Sequence, residues 1–206
     1  MKTAKRIILV TLSVISILLA IIILTVYLLT VFMFQAVVIS GDSMNNTLFD
    51  KEVIYVNTIV EPELYDIAVI SGKKGQDELI IKRIVATGGD TVLLTNDGEL
   101  LIKRLGEDEF FPVYEDCALV PDGYRYESSW LINYPDGFVI PDGEYFYLGD
   151  NRANSNDSMH DYRTCKRSDI VGVAGDFLLS IKEETTKWFK FKDKVRVFFG
   201  ADPYIV

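Results

Sequence analysis

Histidine occurs once in these 206 residues, at His160, and cysteine only twice, at Cys117 and Cys165. One imidazole and two distant thiols suggest no metal framework, and neither a metal nor a cofactor is implied. A disulfide scaffold is excluded as well; one Cys117–Cys165 bridge or two free thiols both stay open. Any serine nucleophile has at most one imidazole to take its proton. There is no internal repeat and no low-complexity tract. Positive charge is in deficit, with 21 Lys and Arg against 30 Asp and Glu for a formal net charge of -9. Three of those cations, Lys2, Lys5 and Arg6, precede every acidic residue, so residues 7–206 carry -12. Nucleic acid is therefore a poor partner.

Between Ile7 and Phe34 charge is missing altogether. A helix of that length reaches roughly 42 Å, more than the ~30 Å hydrocarbon core of a bilayer. A secretory h-region is only about 7–15 residues long and ends at a small-residue cleavage site, whereas this run continues into "TVFMFQAVVIS". A retained anchor over residues 7–35 is expected. The first charges beyond it are Asp42, Asp50, Lys51 and Glu52, so the positive-inside bias leaves residues 1–6 in the cytoplasm. Residues 36–206 then form one extracytoplasmic domain of ordinary size beside the lipid bilayer.

In that domain short apolar runs alternate with turn residues: "AVVIS", "EVIYVNT", "DIAVIS", "ELIIKRIVA", "DTVLLT", "ELLIK", "EYFYLG" and "DIVGVAGDFLLSI". Their Val, Ile, Tyr and Phe content, bounded by Gly, Asp, Asn and Pro, reads as strands of a mainly β, antiparallel fold. No long amphipathic helix is visible outside the anchor. From about 104 to 143 the pattern breaks into prolines, Asp-Gly pairs and scattered aromatics, read as a loop-rich insertion with one or two hairpins. Near the end, "FKFKDKVRVFF" alternates apolar and basic residues, a strand with one basic face that could meet anionic headgroups, with Trp188 at the interface; an edge strand packed on the core and kept soluble by its lysines is the alternative.

Three stretches could carry chemistry. "SGDSMNNTL" offers Ser43 in a glycine-containing turn, which by itself is most often only a turn residue. In "ELIIKRIVATGGD" strand alternation puts Lys82 on one face with Ile80 and Ile84, and Arg83 on the other with Ile81 and Val85. If that face is inward, desolvation disfavours the ammonium and Lys82 can serve as a general base; an edge-strand lysine reaching water is the alternative. "EYFYLGDNRANSNDSMHDYR" runs from an aromatic strand into a polar loop, where Asp150 could neutralise Arg83 and Ser155 could hydrogen-bond a buried lysine.

Taken in order after an N-terminal anchor, "SGDSMNNTL", "KRIVATGGD" and "LGDNRANSNDS" resemble the boxes of bacterial type I signal peptidases, in the single-anchor Gram-positive layout. The resemblance implies a mostly β serine endopeptidase that cleaves N-terminal signal peptides from exported preproteins at the outer membrane face. It makes Ser43 the nucleophile and Lys82 the general base. Ser155 would orient Lys82, and Arg83 and Asp150 would form a supporting ion pair. A serine that supplies an oxyanion hydroxyl in some members is Gly41 here, which leaves the hole to the Ser43 backbone N–H. No histidine is required.

Several positions depart from the family pattern. Asn46 and Gly88 stand where it has prolines, Tyr65 stands where it has a glycine, and Met159 replaces an arginine that pairs with the counterpart of Asp157. Arg163, with Lys166 and Arg167 behind it, is the candidate substitute partner for Asp157; a solvated Asp157 that needs no partner is the alternative. Two rivals in chemistry are a Ser43–His160–aspartate triad and a histidine-based peptidase of the endoplasmic-reticulum type, against which Lys82 argues. From another class comes a membrane-tethered, non-catalytic β domain that binds exported peptides or assists surface-protein assembly.

Overall fold

A computed structural model of the chain describes residues 2–72, 79–113, 116–160 and 163–175. The basic strand near the C-terminus and Trp188 lie outside the described residues. One helix, α1 (Lys2–Met33), takes up the uncharged run. Its stretch Ala4–Met33 is long and apolar enough to cross a membrane, and none of its most apolar window is buried against the rest of the chain. The hydroxyls of Thr11, Ser13, Thr25 and Thr30 donate to carbonyls one turn back within the helix itself. The expectation of an apolar N-terminal helix and a mainly antiparallel β remainder is met.

The helix passes directly into β1 (Phe34–Val38), which pairs antiparallel with β2 (Val53–Asn57). β3 (Ile67–Ser71), β4 (Leu79–Thr87), β9 (Glu144–Leu148), β10 (Cys165–Lys166) and β11 (Ile170–Ala174) complete a seven-stranded sheet in the order β1-β2-β11-β3-β4-β9-β10. A second sheet has four strands in the order β7-β6-β5-β8, built on the hairpin of β5 (Thr91–Leu94) and β6 (Leu100–Lys103). The insertion's own strands, β7 (Phe111–Pro112) and β8 (Phe138–Val139), pair outward with β6 and β5 instead of with each other. The hairpins expected inside the insertion are absent among the described residues. Two residues per strand are too few to hold a hairpin without a longer partner.

Isoleucine and valine dominate the central strands because both faces of the large sheet are covered. Ile81 packs with Val37, Ile54 and Val69 on one side; Ile84 packs with Ile70, Tyr147 and Val173 on the other. A third apolar cluster fills the space between the sheets, joining Phe146 and Leu148 to Val92, Ile102 and the insertion's Trp130 and Leu131. β4 is consequently buried at six consecutive positions, Ile81 to Ala86, so no alternation of exposure survives along it.

Both cysteines are free thiols. Burial on β10, with Asp169 and Glu144 nearby, pushes the Cys165 thiol up to about 12 from its ordinary 9.0. A raised folded-state value favours the protonated fold, so this contribution is complete below about pH 9 and is lost as pH climbs toward 12. In urea titrations in detergent, stability should fall over that window by up to ~1.4 kcal/mol per pH unit more in wild type than in Cys165→Ala.

Candidate active site

Beyond β1, Ile39 prolongs the pairing: its N–H donates to the Glu52 carbonyl at 2.8 Å, and its carbonyl accepts from Lys51 at 2.9 Å. Gly41 then turns the chain at φ +90°, where an L side chain is strained. Met44 and Leu48, both buried in the core below, peg the turn in place. The N–H groups of Thr47 and Leu48 fold back onto the Met44 carbonyl at 2.9 Å each. Ser43 is half-buried between the two anchored ends.

β4 delivers Lys82 to this turn. The lysine is 3 % exposed, and its Nζ donates to Ser43 Oγ at 2.8 Å and to the Ile81 carbonyl at 2.9 Å. Register explains the neighbouring space. β9 pairs with β4 only from Arg83 to Thr87, whereas β3 covers residues 79 to 83. Ahead of Arg83, one edge of β4 is therefore without a strand partner among the described residues.

Arg83 and Asp150 form a buried two-pronged pair, Nε to Oδ1 at 2.8 Å and Nη2 to Oδ2 at 2.6 Å. Arg83 Nη1 donates to the Tyr65 carbonyl at 2.7 Å, and the Thr47 hydroxyl donates to Asp150 Oδ2. The Cys117 thiol lies 3.9 Å from Asp150 Oδ1, and burial followed by that carboxylate raises its pKa. One residue on, the Asn151 N–H donates to the Ser43 carbonyl at 3.0 Å and its side-chain amide to the Asp42 carbonyl at 3.1 Å. The Ser43 N–H itself has no hydrogen-bond partner among the described residues.

Gly149 makes this approach possible, since a Cβ there would lie 2.2 Å from Ser155 Oγ and 2.6 Å from the Ser43 carbonyl. Ser155 Oγ is buried and has no hydrogen-bond partner among the described residues. Its expected bond to Lys82 is not formed: the hydroxyl packs against Gly149, and Nζ spends donors on Ser43 and Ile81.

A family model described as signal peptidase, peptidase S26, matches residues 11–178. The chain belongs to this family. Signal peptidase I S of Bacillus subtilis (strain 168) is 33 % identical over 149 residues, covering 69 % of this chain and 75 % of that protein. Signal peptidase I of Streptococcus pneumoniae serotype 4 (strain ATCC BAA-334 / TIGR4) is 29 % identical over 164 residues, covering 67 % of this chain and 78 % of that protein. A crystal structure of a signal peptidase I from Enterococcus faecalis V583 aligns with a TM-score of 0.40 at 24 % identity, covering 57 % of this chain and 99 % of that one.

The departures from the signal peptidase pattern have local accommodations. Tyr65 takes up the left-handed backbone that suits a glycine, at φ +73°, a conformation costing about 1–2 kcal/mol for an L residue. Its hydroxyl accepts from Arg104 at 3.1 Å, and the Arg104 guanidinium lies 5.9 Å from the ring centre. At Gly88 an added Cβ would come within 2.9 Å of the Pro141 carbonyl, so the turn has no room for proline. Met159 is a core residue packed with Trp130 and Phe146.

Asp157 is satisfied differently from expectation. Its Oδ2 accepts the Gly149 N–H at 3.0 Å and its Oδ1 the Met159 N–H at 3.1 Å, with His160 Nδ1 3.8 Å away. Arg163 does not reach it. The Arg163 guanidinium instead sits 5.6 Å from the centre of the Trp130 ring, because φ +58° at Arg163 turns the chain there. Thr47, Gly149 and Asn151 also take part in the site's contacts. All three lie inside the quoted boxes, but only tertiary contacts distinguish them from other turn residues.

Removing the Asp150 carboxylate strands a guanidinium that is 9 % exposed at its side chain. Asp150→Ala should therefore cost about 3–5 kcal/mol, and Arg83→Ala a similar amount. Thermal melts in detergent check both, and the double replacement should lose less than the two single losses together.

Proposed function

We propose that the chain is a membrane-anchored serine endopeptidase that removes N-terminal signal peptides from exported preproteins, with Ser43 as nucleophile and Lys82 as general base. The observation that carries this reading is the 2.8 Å contact between a half-buried serine hydroxyl and a buried lysine amine. Family membership supplies the reaction class, and the named relatives are signal peptidases I.

With the Lys82 amine neutral, the contact reverses and Ser43 Oγ–H donates to Nζ. Oγ attacks the scissile carbonyl as its proton passes to Lys82, and the Ser43 N–H faces the developing oxyanion. The Lys82 ammonium then protonates the departing amine, leaving the signal peptide esterified to Ser43. Lys82 next takes a proton from water as the water attacks the ester, and the resulting ammonium returns a proton to Ser43 Oγ as the signal peptide leaves with a free carboxyl group. The open edge of β4 before Arg83 suits a substrate lying as an added strand, its main chain hydrogen-bonded and alternate side chains facing the protein. Small residues of the A-x-A-like cleavage site fit that mode. The Arg83–Asp150 pair ties β4 to the loop after β9. Asp157 fixes the loop of Ser155, whose unspent hydroxyl is the candidate to hold the lysine after Ser43 is acylated.

The helix Ala4–Met33 is read as the anchor, with Lys2, Lys5 and Arg6 on the cytoplasmic side and the β domain outside. His160 has no chemical role in this scheme, its contact being with Asp157.

Processing of a purified preprotein in detergent tests the reading. Ser43→Ala and Lys82→Ala should each lose activity by at least ~10⁴-fold, as when a member of a nucleophile–base pair is removed. His160→Ala should keep most of it; full turnover by Lys82→Ala overturns the mechanism. Because only the neutral amine accepts a proton, kcat/KM should rise with pH until Lys82 is deprotonated and then level off.

A further inference from the structure

The Ser43 N–H can stabilise an oxyanion only if its peptide plane is held with the N–H facing the substrate. That plane also contains the Asp42 carbonyl, and in a trans peptide the two groups point to opposite sides. The Asp42–Ser43 bond is trans, since the sole cis bond among the described residues is Asn45–Asn46. Two donors take the carbonyl end: the Asn151 side-chain amide at 3.1 Å and the Asn45 N–H at 3.2 Å. With the carbonyl directed at these donors, the N–H is directed away from them, where it is without a partner among the described residues. Hydrogen bonds accepted by an amide oxygen also polarise the N–H of the same amide, by roughly 10–30 % per bond.

Resting on the serine–lysine reading above, we propose that Asn151 is a positioning residue for the oxyanion hole. It orients and polarises the peptide that carries the Ser43 N–H. Its placement is firm: the Leu119 N–H donates to the Asp150 carbonyl at 2.7 Å and the Arg152 N–H to the Leu119 carbonyl at 3.2 Å, a parallel bridge between Leu119 and Asn151. The asparagine's own N–H meanwhile holds the Ser43 carbonyl at 3.0 Å. One residue thus grips the peptide groups on both sides of the Ser43 Cα. Gly41, at φ +90°, offers no hydroxyl to this hole, so the alignment of a single N–H matters more than it would with two donors.

The side chain can be tested apart from the main chain. Asn151→Ala deletes the amide and keeps the backbone bond to Ser43; Asn151→Asp keeps the shape but puts an acceptor against the Asp42 carbonyl. In full-length protein in detergent, acting on a model preprotein, kcat should fall by ~10- to 100-fold in Asn151→Ala, less than the ~10²–10³ for outright loss of an oxyanion donor. The fall should be at least as large in Asn151→Asp, with KM within about twofold in both. A peptide aldehyde, which takes up Ser43 Oγ–H across its C=O bond, should lose affinity by the same factor as kcat. The cleaved signal peptide, bound without a covalent bond, should not. Wild-type kcat in either variant overturns the proposal, as does an equal loss of affinity for aldehyde and product, which marks a merely structural role. Ser43→Ala and Lys82→Ala run alongside: activity in those variants means that the serine–lysine reading has failed, whereas their inactivity with wild-type kcat in the Asn151 variants refutes the role of Asn151 alone.

Discussion

The buried pair between Arg83 and Asp150 is the tie on which the site depends. Two desolvated charges are a poor source of stability unless their remaining hydrogen-bonding capacity is filled. Here the guanidinium also holds the Tyr65 carbonyl and the carboxylate also accepts from Thr47. Four segments distant in sequence therefore converge on one charge pair. Three of them carry a further side chain of the candidate site a short step away: Lys82 precedes Arg83, Asn151 follows Asp150, and Ser43 begins the turn that Thr47 ends. The pair need not touch substrate to matter, because it sets the distance between the Ser43 turn, β4 and the polar loop after β9.

The insertion is part of this frame. Leu119 pairs with Asn151, the Tyr124 hydroxyl donates to the Arg152 carbonyl at 2.9 Å, and Trp130 Nε1 donates to the Ser158 carbonyl at 2.9 Å. Arg152 in turn reaches the Tyr126 hydroxyl. A stretch that reads as turns and stray aromatics is the wall against which residues 150–159 are pressed. Its aromatics fill the space between the two sheets and turn their polar ends to the loop.

Sequence pattern carried the apolar helix and the longer strands because β-branched runs bounded by turn residues have a local physical cause. β2, β3, β4, β5 and β6 lie where "EVIYVNT", "DIAVIS", "ELIIKRIVA", "DTVLLT" and "ELLIK" put them. The two-residue strands β7, β8 and β10 were not legible, since pairing partners and not composition create them. In the site, the Ser43–Lys82 approach and the Arg83–Asp150 pair were legible from ordered motifs. The surroundings of Asp157 were not: backbone N–H groups of Gly149 and Met159 take its oxygens, and a main-chain donor leaves no mark in a sequence. Asn151 escaped for a related reason, as both its bonds end on carbonyls.

α1 ends at Met33 and β1 starts at Phe34, with no linker between them. The Thr58 N–H and hydroxyl, at the far end of β2, bond back to the carbonyls of Met33 and Phe32. Helix and sheet are thus joined through two adjacent strands, and the domain cannot swivel on a tether. With α1 as the anchor, the five residues of β1 span roughly 17 Å, and Ser43 follows five residues beyond its end. If α1 is the anchor, this direct joint gives the Ser43 turn a set distance from the membrane surface, so that position along an emerging peptide would count for its reach as well as sequence does.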